Sequence, residues 1–206
     1  MKIIGVTGSL GTGKTTVARM FLKRGCKVID ADRLAHRVIK KGTPQYRRIL
    51  GEFGQSILKA DAEIDRHRLA KLAFSQKANL KKLNRIIHPA VIKQIKQEIA
   101  AAKRARCCAV IDAPLLIESG FHRAMEVLIV VSASRENQIK RVKKDSGMPR
   151  EMILQIIGSQ FPLSKKKKLA DFIIDNNGSL KETKRQVDEI WLKLSRLTRC
   201  GKILCR

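Results

Sequence analysis

The chain has no apolar run approaching the roughly 20 residues needed to cross a bilayer, so no membrane partner is expected. Its N-terminal MKIIGVTGSLGTGKT has no long apolar stretch before its glycines, so a secretory leader is not expected either, and the cytoplasm is the expected compartment. The five cysteines form no C-x-x-C pair, and no histidine stands at ligand spacing from them. A tetrahedral zinc site needs four converging ligands, so zinc is not expected, and reduced thiols are. Aromatic residues are scarce, with six Phe, one Tyr and one Trp. Few platforms exist for base stacking, and no helix-turn-helix or RNA-recognition signature occurs, which argues against a specific nucleic-acid partner. Acidic residues are scarce too: 18 against 44 lysines and arginines, for a net charge of +26. Such a surface favours polyanions, among them nucleotides and coenzymes with several phosphates.

A length of 206 residues suits one domain with sizeable insertions and buries a core without disulfides. Short apolar runs at 2–6, 27–30, 109–111, 127–131 and 172–174 read as strands, continuous enough to be covered on both faces of a parallel sheet. Each but the last is followed by a helical stretch, which gives an α/β fold with a five-stranded parallel sheet flanked by helices. The segment between the second and third strands carries only helical patterns, including 65–74 and 89–105, with His88-Pro89 as a turn before the second. Residues 138–169 are helical and rich in Lys and Arg, the composition of a lid that clamps phosphates. An amphipathic helix spans 180–197, and 198–206 reads as a basic tail.

Gly8-Ser9-Leu10-Gly11-Thr12-Gly13-Lys14-Thr15 fills every fixed position of G-x-x-x-x-G-K-[ST], between a strand and a helix as the motif requires. Glycines let successive N–H groups turn toward one anion, and the following helix adds its N-terminal dipole. Gly11, Thr12 and Gly13 would line the phosphates of ATP, Lys14 would reach the β- and γ-phosphates, and Thr15 would ligate Mg²⁺. Thr16 is placed to meet a further phosphate. No N-K-x-D follows the 127–131 strand, which argues against a GTPase. Asp112, at the end of the third strand, is either a Walker B-like carboxylate or a turn residue before Pro114. Asp30 and Asp32, in V-I-D-A-D, stand at the carboxyl end of the second strand, beside the phosphate loop if the two strands are neighbours. Either can orient an acceptor hydroxyl and take its proton, and Asp32 can instead cap the helix that follows.

Taken together, several motifs resemble the dephospho-coenzyme A kinase family over about residues 3–180. They are V-T-G-x-x-G-T-G-K-T-T, V-I-D-A-D-R-L-A, D-R-x-x-L-A-x-x-A-F and L-N-x-I-I-H-P, followed by D-A-P-L-L-I-E, Q-I-K-R-V, S-Q-F-P-L-S-x-K and A-D-F-I-I-D-N-N-G-S-L. The resemblance implies ATP-dependent phosphorylation of the ribose 3′-hydroxyl of dephospho-coenzyme A. It also implies a nucleotide core (1–31, 106–137 and 170–206), a helical acceptor-binding region (32–105) and a lid (138–169). It makes Asp32 the catalytic base and sets Arg141 of the lid against the ATP phosphates beside Lys14. Arg66, His88, Pro114 and Leu115 become acceptor contacts together with Asp32. Two departures stand out: Ser9 replaces a usual Gly, which would be strained at positive φ, and Ile117 replaces a usual Phe. The other readings are a kinase of another small acceptor, such as a nucleoside monophosphate, or a basic module that binds ATP or RNA without turnover.

Overall fold

The apolar runs become β1 (Ile3–Gly8), β2 (Lys27–Asp30), β3 (Ala109–Asp112), β4 (Val127–Ser132) and β5 (Phe172–Asp175) in a computed structural model that describes residues 1–197. The expected tail at 198–206 lies outside the described residues. All pairings are parallel, in the order β2-β3-β1-β4-β5. Every residue of β1, β3 and β4 is buried, as continuous apolar runs in the middle of a covered sheet should be. The edge strands β2 and β5 are only partly buried, so the expectation of cover on both faces fails at the sheet margins.

Two compact units divide the described chain, residues 1–30 with 98–197, and Ala31–Gln97. The first holds the sheet with α1 (Lys14–Leu22), α6 (Arg135–Ser146), α7 (Arg150–Ser159), α8 (Leu163–Lys168) and α9 (Leu180–Leu197). Its core joins Val17, Ala18 and Phe21 of α1 to alternate residues of β1 and β4 and to Val187, Ile190 and Leu194 of α9. The helical spacing of these α1 and α9 residues turns one stripe inward on each. Phe21 meets Trp191 edge to face at 6.1 Å, so the chain's only tryptophan helps hold α1 in place. A smaller cluster of Ile139, Val142 and Ile153 joins α6 to α7.

The second unit is built from α2 (Ala31–Val38), α3 (Pro44–Phe53), α4 (Arg66–Ser75) and the start of α5 (Lys77–Arg104), with one 3₁₀ turn at Gln55–Ile57. Leu34, Ile49, Ile57, Leu69 and Ala73 are among its buried residues. Helix starts follow local chemistry. Thr43 caps α3 by accepting from the Tyr46 N–H at 3.1 Å, with Pro44 in the first turn. Asp65 caps α4 by accepting from the N–H groups of His67 (2.9 Å) and Arg68 (3.2 Å). The turn expected at His88-Pro89 is absent: Pro89 lies inside the 28-residue α5, and His88 is a mid-helix residue. Proline there takes away one backbone donor, a local cost that the long helix absorbs without ending.

The Asp65 cap yields a pH-dependent expectation. The backbone N–H of Arg68, foremost, and that of His67 hold its carboxyl below the usual aspartate range. A depressed folded pKa stabilises above the unfolded value of about 3.9, and the gain is lost as pH falls. Asp65→Ala should therefore lower the melting temperature at pH 7, and the gap from wild type should narrow below pH ~4. Asp65→Asn should melt close to wild type at pH 7, because Asn caps about as well. Thermal melts of the three proteins at both pH values check this.

Candidate phosphate-binding site

The loop between β1 and α1 leaves the start of α1 open. Gly13 occupies the position before the helix, no side chain caps it, and the first turn holds no acid. Its N–H groups and dipole therefore face outward with nothing anionic of their own, the condition for binding an anion. Gly11 (φ 72°) and Gly13 (φ 90°) adopt backbone angles that side chains resist. Close neighbours reinforce the requirement: a Cβ at Gly11 would stand 2.6 Å from the Gln138 carbonyl of α6, and one at Gly13 would collide with the Asn176 amide. Ser9 is absent from the residues of positive φ, so its replacement of glycine carries no such strain. Within the loop, the Ser9 carbonyl accepts from the Thr12 hydroxyl (2.9 Å) and from the buried Lys14 ammonium (3.0 Å).

On one side of the loop, the Thr15 hydroxyl donates to Asp112 Oδ2 at 2.8 Å. Asp112 is buried at the end of β3, in register with Val6 on one neighbour and Asp30 on the other. Register partners on adjacent parallel strands project to the same face, so Asp30 and Asp112 share one level of the sheet. The neighbour relation on which the placement of Asp30 and Asp32 beside the loop depended does not hold. β3 intervenes between β2 and β1, so Asp112, and not Asp30, is the carboxylate beside the loop. Thr15 and Asp112 offer a hydroxyl and a carboxylate, hard oxygen donors of the kind Mg²⁺ takes, so the pair fits that ion. Thr16 is exposed at the next position of α1.

On the other side, Asn176 follows β5 and donates from its amide to the Thr12 carbonyl at 2.8 Å. Its own side-chain oxygen is held by the Thr183 hydroxyl at 2.7 Å. Arg141 of α6 donates through Nη2 to the Asn176 carbonyl at 2.7 Å. Its Nη1 is buried without an acceptor among the described residues, and a Cβ at Gly13 would lie 3.8 Å from it. A buried guanidinium nitrogen with an unused donor, this close to the loop, suits an anionic ligand.

The remaining sequence-selected residues have different settings. Asp32 falls in the first turn of α2, which begins at Ala31, so it does not precede the helix as a cap would. Arg66 opens α4, and its guanidinium lies 2.7 Å from His36 Nε2 within the helical unit. Pro114 and Leu115 follow β3 and are half-buried. The Pro114 carbonyl accepts from the Thr7 hydroxyl at 3.3 Å and from the Lys166 ammonium at 2.7 Å, while Leu115 offers its carbonyl to the Ser119 N–H.

Four residues at this site carried no role in the sequence reading: Asn176, Gln160, Glu118 and Lys166. Gln160 Oε1 accepts from the Ser9 hydroxyl (2.9 Å) and the Leu10 N–H (3.2 Å). Lys166 and Glu118 form an ion pair at 2.8 Å, with the lysine side chain 0% exposed. Burial pulls the Lys166 ammonium below the ordinary lysine range, and Glu118 opposes that shift. All four stand in motifs that resemble the kinase family, but nothing in spacing alone says what they touch.

A shikimate kinase from Acinetobacter baumannii shares the fold, with a TM-score of 0.54 at 15% identity over 97% of this chain and 96% of that one. A dephospho-CoA kinase from Campylobacter jejuni superposes with a TM-score of 0.69 at 26% identity, covering 94% of this chain and 97% of that one. A dephospho-CoA kinase from Thermobifida fusca is 37% identical over 193 residues, 94% of this chain and 96% of its own length. The profile of the dephospho-CoA kinase family matches residues 2–182. With its phosphate loop, parallel sheet and nearly full-length similarity, the chain belongs to the dephospho-CoA kinase family.

Proposed function

We propose that this protein transfers the γ-phosphoryl group of ATP to the ribose 3′-hydroxyl of dephospho-coenzyme A, giving coenzyme A and ADP. The single observation that carries the acceptor assignment is family membership across residues 2–182. The open helix start beside an unused Arg141 donor supports the nucleotide half.

The loop N–H groups from Gly11 to Thr16 receive the ATP phosphates in this mechanism. Lys14 exchanges its bond to the Ser9 carbonyl for the β- and γ-phosphates. Arg141 keeps its Asn176 bond through Nη2 and donates from Nη1 to the phosphates, which adds charge stabilisation in a buried setting. Thr15 and Asp112 would hold Mg²⁺, which would supply positive charge to neutralise the phosphates. The ribose oxygen attacks the γ-phosphorus, the bond to the β,γ-bridging oxygen breaks, and ADP leaves. Asp32 orients the hydroxyl and takes its proton. Arg66, His88, Pro114 and Leu115 complete the acceptor contacts. Residues 32–105 act as the acceptor region and 138–169 as the lid over a core of 1–31, 106–137 and 170–206.

The deciding assay is ADP release from ATP and Mg²⁺ with different acceptors. Dephospho-coenzyme A should stimulate it far more than AMP, CMP or adenosine, and mass spectrometry should find a product one phosphate heavier. Equal or faster turnover of a nucleoside monophosphate would replace the acceptor assignment.

Lys14→Ala should reduce kcat by about 10²-fold or more, as removal of a preorganised electrostatic group commonly does. Asp112→Asn should raise the Mg²⁺ concentration needed for half-maximal rate. Unchanged turnover in the first variant, or an unchanged Mg²⁺ requirement in the second, contradicts these roles.

Asp32→Asn should reduce kcat by about 10²- to 10⁴-fold, the usual contribution of a positioned base, with nearly unchanged ATP affinity. Its effect on melting should be small, since Asn keeps the size and one acceptor oxygen of Asp at the start of α2. Asp30→Asn should be milder in kcat. Steady-state kinetics with melts alongside check both, and near-normal kcat in Asp32→Asn refutes the base assignment.

A further inference from the structure

Lys166 lies in the run Lys165–Lys168 of α8, the densest basic cluster of the chain, where composition suggests phosphate ligands. Its side chain is withdrawn from that role. An ammonium has three donors. Those of Lys166 meet Glu118 Oε1 at 2.8 Å, the Pro114 carbonyl at 2.7 Å and the Gly8 carbonyl at 3.3 Å, with 0% of the side chain exposed. None remains for a nucleotide.

Its three acceptors belong to the two segments that shape the phosphate site. Gly8 opens the phosphate loop. Pro114 stands two residues beyond Asp112, whose carboxylate takes the Thr15 hydroxyl. The arm that carries Lys166 makes three more bonds to the same two segments. Glu118 Oε1 accepts from the Phe161 N–H at 2.9 Å, and Gln160 Oε1 accepts from the Ser9 hydroxyl and the Leu10 N–H. Lys165 rests over the Phe161 ring, 4.0 Å from its centre, which fixes the same short stretch from its outer side.

A buried ion pair is weak evidence for stability, because desolvation offsets most of its attraction and an apolar pair often serves as well. What such a pair does supply is a fixed geometry for the groups it touches. We infer that Lys166, held by Glu118 and seconded by Gln160, is a positioning residue. It sets the entrance of the phosphate loop and the segment after β3 at the separation that nucleotide binding requires. This rests on the nucleotide half of the function proposed above and is independent of the acceptor.

The test uses the full chain. Lys166→Met alone would leave Glu118 buried and uncompensated, so the informative variant is Lys166→Met with Glu118→Gln, which removes both charges and retains an acceptor for Phe161. Calorimetric titration with Mg-ADP, the KM for ATP and thermal melts are read together. The double variant should melt within a few degrees of wild type, yet bind Mg-ADP about tenfold or more weakly and show a matching rise in KM for ATP, as ångström-scale misplacement does. A purely structural pair would lower the melting temperature and leave Kd and KM of the folded protein unchanged. Wild-type Kd and KM in the folded double variant overturn the inference. If that variant does not fold, Gln160→Leu decides, because its half-buried side chain can be replaced without stranding a charge. Weaker Mg-ADP binding supports the arm as a positioning device, and unchanged binding overturns it. Wild-type protein that failed to phosphorylate dephospho-coenzyme A would remove the acceptor assignment and leave this comparison intact.

Discussion

Close backbone packing around Gly11 and Gly13 is the constraint on which the site depends. The loop exposes the start of α1 only because both glycines take left-handed angles, and both are pressed from outside, by the Gln138 carbonyl and by the Asn176 amide. Those two partners come from the segments after β4 and after β5, far along the chain. The flanking strands therefore have to be placed before the loop can be correct. Buried β1 and β4, paired in parallel from Ile4↔Val127 to Gly8↔Val131, supply that placement. Arg141 then arrives on the same helix as Gln138, one turn further on, with a donor still unused.

Two buried lysines near the loop divide the electrostatic work. Lys14 bonds to the Ser9 carbonyl of its own loop, a local partner that a phosphate oxygen can outcompete because a charge-assisted bond to an anion is stronger. Lys166 is tied to a carboxylate and to two carbonyls on separate segments, with no access to solvent. The same residue type thus stands once in the loop proposed to bind phosphate and once as a strut between two segments. The surroundings make the difference: the first is bonded within its own loop, while the second is enclosed by groups that satisfy every donor it has.

The strands and the phosphate loop were legible because their signals are local. A short apolar run, or a glycine pattern between strand and helix, reports its own backbone. Pro89 misled for the same reason. Read locally, proline after His88 marks a break, but α5 runs through it, and the 28-residue helix tolerates one missing donor. The two aspartates of V-I-D-A-D were found, yet which carboxylate adjoins the loop depended on strand order, which no single segment encodes. Once β3 is seen between β2 and β1, Asp112 takes that place. Gln160 and Lys166 were out of reach altogether, because their partners lie on segments distant in sequence, and a run of four lysines looks uniform until one of them is buried. For Lys166, Pro114 is 52 residues away and Gly8 is 158. Nothing in the structure accounts for the net charge of +26.

The two aspartates also show how a change of secondary structure separates neighbours in sequence. Asp30 ends β2 opposite Asp112 and belongs to the sheet unit, whereas Asp32 belongs to the helical unit, in the first turn of a helix that starts at once at Ala31. Had the strand continued, both carboxylates would have projected to one face and competed for one role. The abrupt start of α2 gives them different surroundings. Asp30 shares the level of a buried carboxylate, while Asp32 is exposed in the first turn of a helix. The proposed acceptor residues Asp32, Arg66 and His88 all fall in the helical unit, and the phosphate residues Lys14, Thr15, Asp112 and Arg141 all fall in the sheet unit. Phosphoryl transfer needs one set of groups to hold a polyanion and another to hold a hydroxyl and take its proton. In the proposed mechanism the base and the acceptor's contacts in the chain therefore belong mostly to one unit, and the groups that hold the polyanion belong to the other.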